Sequence, residues 1–142
     1  MKKRQVVITG AGACGLMAAI MAARNGAAVT VLEQNEKPGK KICATGNGRC
    51  NFSNLARPDD AYRGEHPEFV EDALREFSVE NTIEFFKEIG IYPLNRNGYL
   101  YPRSNQAQSV VDVLCMEAAS LGVKIKTNEQ VTEIKTGTNG KN

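Results

Sequence analysis

Short continuous apolar runs and stretches of helical period take turns along this chain. Val6, Val7 and Ile8 form a run of the kind carried by a parallel strand buried on both faces. Ala18, Ala19, Ala22 and Ala23 follow as good helix formers, with a stop at Gly26, and Val29 to Leu32 make a second apolar run. Strand, helix and strand in this order predict a βαβ unit. The polar segment QNEKPGKK, with Pro38 and Gly39, breaks any regular element and leads into ICATGNGRCNFSN, which reads as a long loop. Residues 55–66 contain Pro58 and read as irregular. A helix is expected from Pro67, with Phe69, Val70, Ala73, Leu74 and Phe77 at helical spacing. Ser78 can cap another, which buries Val79, Ile83, Phe86 and Ile89 and stops at Gly90. Ile91–Leu94 and Tyr99–Tyr101 flank Asn95-Arg96-Asn97-Gly98, which favours a hairpin because Asn-Gly accepts positive φ. Ser104 to Leu121 gives a third long helix, with Ala107, Val110, Val111, Leu114, Ala118 and Leu121 on one face and Gly122 beyond its end. Val123 to Thr127 returns as a strand, and Val131 to Thr136 is expected to form one more. The pattern is that of an α/β fold.

Gly10, Gly12 and Gly15 sit between the first strand and the first helix in the spacing G-x-G-x-x-G, and Glu33 ends the second strand 23 positions after Gly10. Each type has a physical task. Gly10 allows the tight turn out of the strand, Gly12 lets backbone N–H groups approach a pyrophosphate, and Gly15 lets helix and strand pack closely. The positive end of the helix then faces the phosphates, which makes Ala13 and Cys14 of its first turn candidate contacts. Glu33 stands near the spacing at which a carboxylate receives the ribose hydroxyls of an adenosine. A second candidate lies downstream. Gly46 and Gly48 permit unusual backbone angles, so successive N–H groups there can form an anion-binding concavity, with Lys40, Lys41 and Arg49 supplying positive charge. A Gly-rich surface loop with solvated lysines is the plain alternative.

A length of 142 residues suits one domain, and 42% apolar residues is enough for a core. The formal charge of +2 is small, the basic residues are not gathered on a periodic face, and Met1-Lys-Lys-Arg is too short for a nucleic-acid arm. Neither a nucleic-acid nor a membrane partner is expected. No stretch approaches the apolar length of a membrane span, and a glycine turn interrupts the run after Arg4 where a signal peptide would have its apolar region, so the expected compartment is the cytoplasm. Cys14, Cys43, Cys50 and Cys115 include no C-x-x-C pair, and the single histidine, His66, is far from them in sequence. No metal site is expected, and the cysteines read as reduced thiols. No side chain is assigned as a catalytic acid or base, because no serine, cysteine or carboxylate constellation surrounds His66.

PGKKICATGNGRCNFSN, with the glycine turn ahead of it and GYLYPRSNQAQSVVDVL behind it, resembles the amino-terminal part of a bacterial family of FAD-dependent oxidoreductases. Its members are described as aminoacetone-oxidase-like or bile-acid-reductase-like flavoproteins and as NAD(FAD)-utilising dehydrogenases. The block G-[RK]-K-x-x-x-[ST]-G-x-G-R-C-N is intact from Gly39 to Asn51; Thr45 and Asn47 stand where many relatives have serine and glycine. The resemblance implies a Rossmann-like FAD-binding domain of glutathione-reductase type with a small β-hairpin, FAD as cofactor and NAD(P)H as a reductant. It implies that Lys40, Lys41, Gly48, Arg49, Cys50 and Asn51 lie along the cofactor, and that the Val131 backbone meets the adenine edge. Relatives are longer, so residues 1–142 are expected to be the amino-terminal portion of an incomplete FAD-binding domain, without the substrate domain and the later segment that covers the flavin. Such a portion is expected to be inactive alone and prone to self-association, while the whole protein acts on a small-molecule substrate. Gly10 to Glu33 alone would also fit an NAD(P)-binding dehydrogenase domain, against which the ATGNGRCN block speaks, or a non-catalytic nucleotide-binding module.

Overall fold

A computed structural model describes residues 3–56 and 61–135. The chain divides into two compact units, one formed by Met1–Pro38 with Ala118–Asn142 and the other by Gly39–Glu117.

In the first unit, β1 (Gln5–Thr9), α1 (Ala13–Arg24) and β2 (Ala28–Leu32) form the expected βαβ motif, and β6 (Lys124–Lys126) pairs with the far edge of β2. All three strands are parallel, in the order β1-β2-β6, with Gln5 opposite Ala28, Thr9 opposite Leu32, and Thr30 opposite Lys124. The core consists of Leu16, Ala19 and Ile20 on the inner stripe of α1 and Val29 and Val31 of β2. The helix ends as its sequence requires. Asn25 is the C-cap, Gly26 takes φ +84°, and its N–H donates to the Ala23 carbonyl. Residues 131–135, expected to begin a strand, form none and are exposed. A strand needs a neighbour to complete its ladder, and residues 131–135 join no sheet; Thr136 lies outside the described residues.

The second unit carries α2 (Lys40–Ala44), a 3₁₀ turn (Thr45–Gly48), β3 (Ser53–Asn54), α3 (Phe69–Glu76), α4 (Val79–Glu88), the hairpin β4 (Pro93–Arg96) and β5 (Tyr99–Pro102), and most of α5 (Ala107–Ser120). Its sheet is antiparallel, in the order β3-β5-β4. The hairpin turn is Asn97-Gly98, both at positive φ (52° and 90°), so Asn95 and Arg96 are paired strand residues rather than part of the turn. Ser78 caps α4 through a reciprocal box with Asn81, and Phe86 of that helix stacks at 4.7 Å from the Phe52 ring. The apolar face read for α5 is buried from Ala107 through Leu114 to Ala118. Three expectations are corrected. Lys40 and Lys41 open a short helix instead of lying in a broken segment. α5 starts at Ala107, because Pro102–Asn105 closes a turn in which the Asn105 N–H donates to the Pro102 carbonyl. α3 starts at Phe69, two residues after the expected Pro67, and its apolar spacing buries none of its residues, Phe69 being 85% exposed. Described residues in 55–66 are irregular as expected, while Pro58 lies outside them.

Candidate functional site

The glycine turn and the end of β2 meet in the first unit. Parallel pairing of Thr9 with Leu32 carries the two strand ends out side by side, and the Gly10 N–H donates to the Leu32 carbonyl at 2.7 Å. Gly10 takes φ +88°. A Cβ on Gly15 would stand 1.9 Å from the Gly10 carbonyl oxygen, so this glycine is what allows helix and turn to touch. Gly12 is different. It is the N-cap of α1 at φ −83°, and a Cβ there would meet nothing within 4 Å. No side chain caps the helix, its first turn holds no acidic residue, and Ala13 and Cys14 are exposed. Open space, a helix start without a side-chain cap and backbone amides are the chemistry of an anion site.

Glu33 lies just beyond β2 and is only 6% exposed. Its Oε2 accepts the Ala11 N–H at 2.7 Å, and its Oε1 accepts both the Asn35 N–H at 2.8 Å and the Asn35 side-chain amide at 2.5 Å. The carboxylate thus ties the turn between Gly10 and Gly12 to the segment after β2. It also walls a cleft of about 700 Å³ lined by Thr9, Gly10, Leu32, Glu33, Asn35 and residues 129–134. Val131 is in that wall, 37% exposed and outside any strand. The residue missed by sequence reasoning is Asn35; its place two positions after Glu33 was the available signal.

The second unit holds the other candidates. Gly39, at φ +73°, opens α2 where a Cβ would come within 2.5 Å of the Val111 side chain, and Lys40 and Lys41 are exposed. From Gly46 to Cys50 the backbone is left-handed at every residue except Arg49: Gly46 +56°, Asn47 +53°, Gly48 +78° and Cys50 +58°. That run does not leave all its amides open. The Arg49 N–H donates to the Gly46 carbonyl and the Cys50 N–H to the Thr45 carbonyl, each at 3.2 Å, so two donors expected of the concavity close the loop on itself. Arg49 Nε also donates to Gly46 at 3.2 Å, and its guanidinium lies 5.4 Å from the Tyr101 ring centroid, with Arg96 over the same ring at 5.9 Å. Asn51 donates its side-chain amide to the Ser53 and Leu100 carbonyls, pinning the loop to β5. Cys50 is buried; burial pushes its thiol up, against a smaller opposing pull from Thr45, which makes it a poor nucleophile near neutral pH. Among the described residues no group of histidine, cysteine and carboxylate side chains is placed to hold a metal ion, and no helix is long and apolar enough to cross a membrane.

A parallel sheet, a glycine turn at a helix start and an acidic residue closing the second strand define a Rossmann-type α/β protein. The chain belongs to the HI0933-like protein Rossmann domain family, whose model matches residues 4–142. It is 47% identical to the 3-dehydro-bile acid delta(4,6)-reductase of Clostridium scindens, over 96% of this chain and 34% of that protein. It is 32% identical to the ribosomal RNA dihydrouridine synthase of Escherichia coli, over 94% of this chain and 34% of the synthase. The chain therefore spans about a third of the length of these curated relatives. Among solved structures, the open conformation of a flavocytochrome c3 fumarate reductase superposes with a TM-score of 0.66 at 17% identity, over 97% of this chain and 29% of that one, a likeness of fold.

Proposed function

We propose that this chain is the FAD-binding portion of a flavin-dependent oxidoreductase. The observation that carries the reading is the pairing of an uncapped helix start, with Gly12 facing open space, and a buried Glu33 beside a cleft, in a chain 47% identical to a reductase. Backbone amides of Gly12, Ala13, Cys14 and Gly15 would receive the pyrophosphate, Glu33 the ribose hydroxyls, and the backbone at Val131 the adenine edge. Lys40, Lys41, Gly48, Arg49, Cys50 and Asn51 complete the set assigned to the cofactor. FAD, when bound, supplies the hydride and electron chemistry; the protein's part is to hold and orient it. The block Gly39–Asn51, present here with its spacing intact, favours FAD over a nicotinamide as the resident dinucleotide. NAD(P)H is proposed as reductant, a small molecule as substrate and the cytoplasm as compartment, with no nucleic-acid or membrane partner. A 142-residue chain expressed alone would expose apolar surface such as Val7, 64% exposed on β1, and self-associate through it.

The test is the visible absorption spectrum of the whole protein after incubation with FAD and desalting, before and after reduced nicotinamide is added. Retained flavin bands that bleach with the nicotinamide are expected. A protein that keeps no flavin overturns the proposal; retained bands that do not bleach overturn the reductant.

A further inference from the structure

The hydrogen bonds around Glu33 single out a residue outside the glycine fingerprint. Asn35 grips one oxygen of the Glu33 carboxylate with two donors, its backbone N–H at 2.8 Å and its side-chain amide at 2.5 Å. The amide orientation is fixed by chemistry, since the flipped group would turn its own oxygen toward a carboxylate. With Oε1 held this way, Oε2 is turned to the Ala11 N–H at 2.7 Å, and the plane of the carboxylate is set by both ends. The backbone continues the clamp. The Asn35 carbonyl accepts the Asn128 N–H at 3.1 Å, and the Glu33 carbonyl accepts the Glu129 N–H at 2.9 Å, so the same two residues fix the start of the cleft wall at 129–134.

The geometry points to Asn35 as a positioning residue: it aims the Glu33 carboxylate for a dinucleotide's ribose diol, although nothing requires it to touch the ligand. Few side chains can do this. The donor must come from a residue whose own N–H already reaches Oε1, it must be short, and it must be uncharged. Asparagine satisfies all three, and serine does so with a shorter reach. Directed hydrogen bonds to a hydroxyl pair depend steeply on angle, so a carboxylate free to rotate would bind the diol less well even where it stays in place. This inference rests on the FAD reading.

The experiment is an FAD titration of the flavin-stripped whole protein, followed by quenching of flavin fluorescence, for the wild type, Asn35→Ala, Asn35→Ser and the same changes in a Glu33→Ala background. Asn35→Ala should weaken FAD binding about tenfold, the size of one lost hydrogen bond to a charged group. Asn35→Ser, which restores a donor, should recover a large part of that loss. In the Glu33→Ala background both changes should alter affinity by less than about twofold, because the group through which Asn35 acts is gone. If Glu33→Ala fails to fold, Glu33→Met serves as the background, since it fills the volume without an oxygen. An Asn35→Ala protein with wild-type FAD affinity overturns the assignment. So does an equal loss in both backgrounds, accompanied by a lower melting temperature, which marks Asn35 as structural only. A wild-type protein that binds no FAD overturns the FAD reading itself, an outcome separate from either.

Discussion

The two glycine-rich segments look alike as sequence and differ as structure. In Gly10–Gly15 the middle glycine faces open space, and the helix that follows has no side-chain cap. In Gly39–Asn51 the Gly39 position abuts Val111, Gly46 lies 3.0 Å from the Asn51 nitrogen where its Cβ would be, and two amides are bonded within the loop. One segment is shaped to let something approach its backbone; the other is largely shaped by its own packing. A glycine is therefore informative only with its surroundings: one whose absent side chain would meet backbone is a packing device, one at positive φ such as Gly26 is explained by its turn, and Gly12, with open space at an ordinary φ of −83°, is the candidate for a ligand.

Gly15→Ala breaks the comparison most severely. Its methyl would stand 1.9 Å from the Gly10 carbonyl oxygen, which is backbone and cannot rotate aside. The turn and helix must separate, so the loss of stability should exceed about 3 kcal/mol, beyond the usual cost of overpacking. Urea unfolding of the whole protein measures it. A loss below about 1 kcal/mol would mean that the close approach of turn and helix is not a requirement.

The next effect separates structure from ligand at Glu33. Replacement by alanine removes the acceptor of the Ala11 N–H, and Ala11 is completely buried, so stability should fall by about 1–3 kcal/mol even with no ligand present. Glu33→Gln keeps an oxygen that can accept that N–H, but its amide also faces the two donors of Asn35, so the recovery of stability should be partial. It should recover still less of the FAD affinity, because an amide keeps one acceptor oxygen where the carboxylate offers two to a ribose diol. Equal recovery of both would reduce Glu33 to a structural tie.

Much of the first unit was legible in the sequence, because its elements are long enough to show a period and its turn uses residues with a single steric task. Val6 to Ile8, the alanine-rich helix and Val29 to Leu32 fall where they were read, but Val6 to Ile8, read as buried on both faces, lie on an edge strand of the described sheet that leaves Val7 64% exposed. Lys40–Ala44 was not legible as a helix, since five residues show too little of a 3.6-residue period. Val131 to Lys135 carried strand-like residues, but strand formation needs a ladder partner that one segment's sequence cannot supply. At the site, the position of Glu33 was legible and its bond to Ala11 was not. That contact joins residues 22 apart and exists only because parallel pairing brings the ends of β1 and β2 together. In the second loop, glycine and arginine were read as an anion concavity; which amides remain open depends on bonds such as Cys50 to Thr45, and a residue string does not display these.

Gly12→Ala has the smallest expected effect on folding and discriminates best between the two kinds of glycine. Residue 12 has φ −83° and ψ −171°, which alanine adopts without strain, and the new methyl meets no atom within 4 Å. Alanine is a poorer N-cap than glycine, so stability should fall by less than about 1 kcal/mol. The methyl would nonetheless occupy the space through which a pyrophosphate approaches the first amides of α1. FAD affinity should then fall at least tenfold, or about 1.4 kcal/mol, in a protein whose urea midpoint barely moves. Gly15→Ala loses both together, so the ratio of the two losses, and not either alone, identifies the role of each glycine. An unchanged FAD affinity in a folded Gly12→Ala protein would show that the open space beside the helix start is not the route of the cofactor, and would move the search for its phosphates to the remaining amides of the Gly39–Asn51 loop.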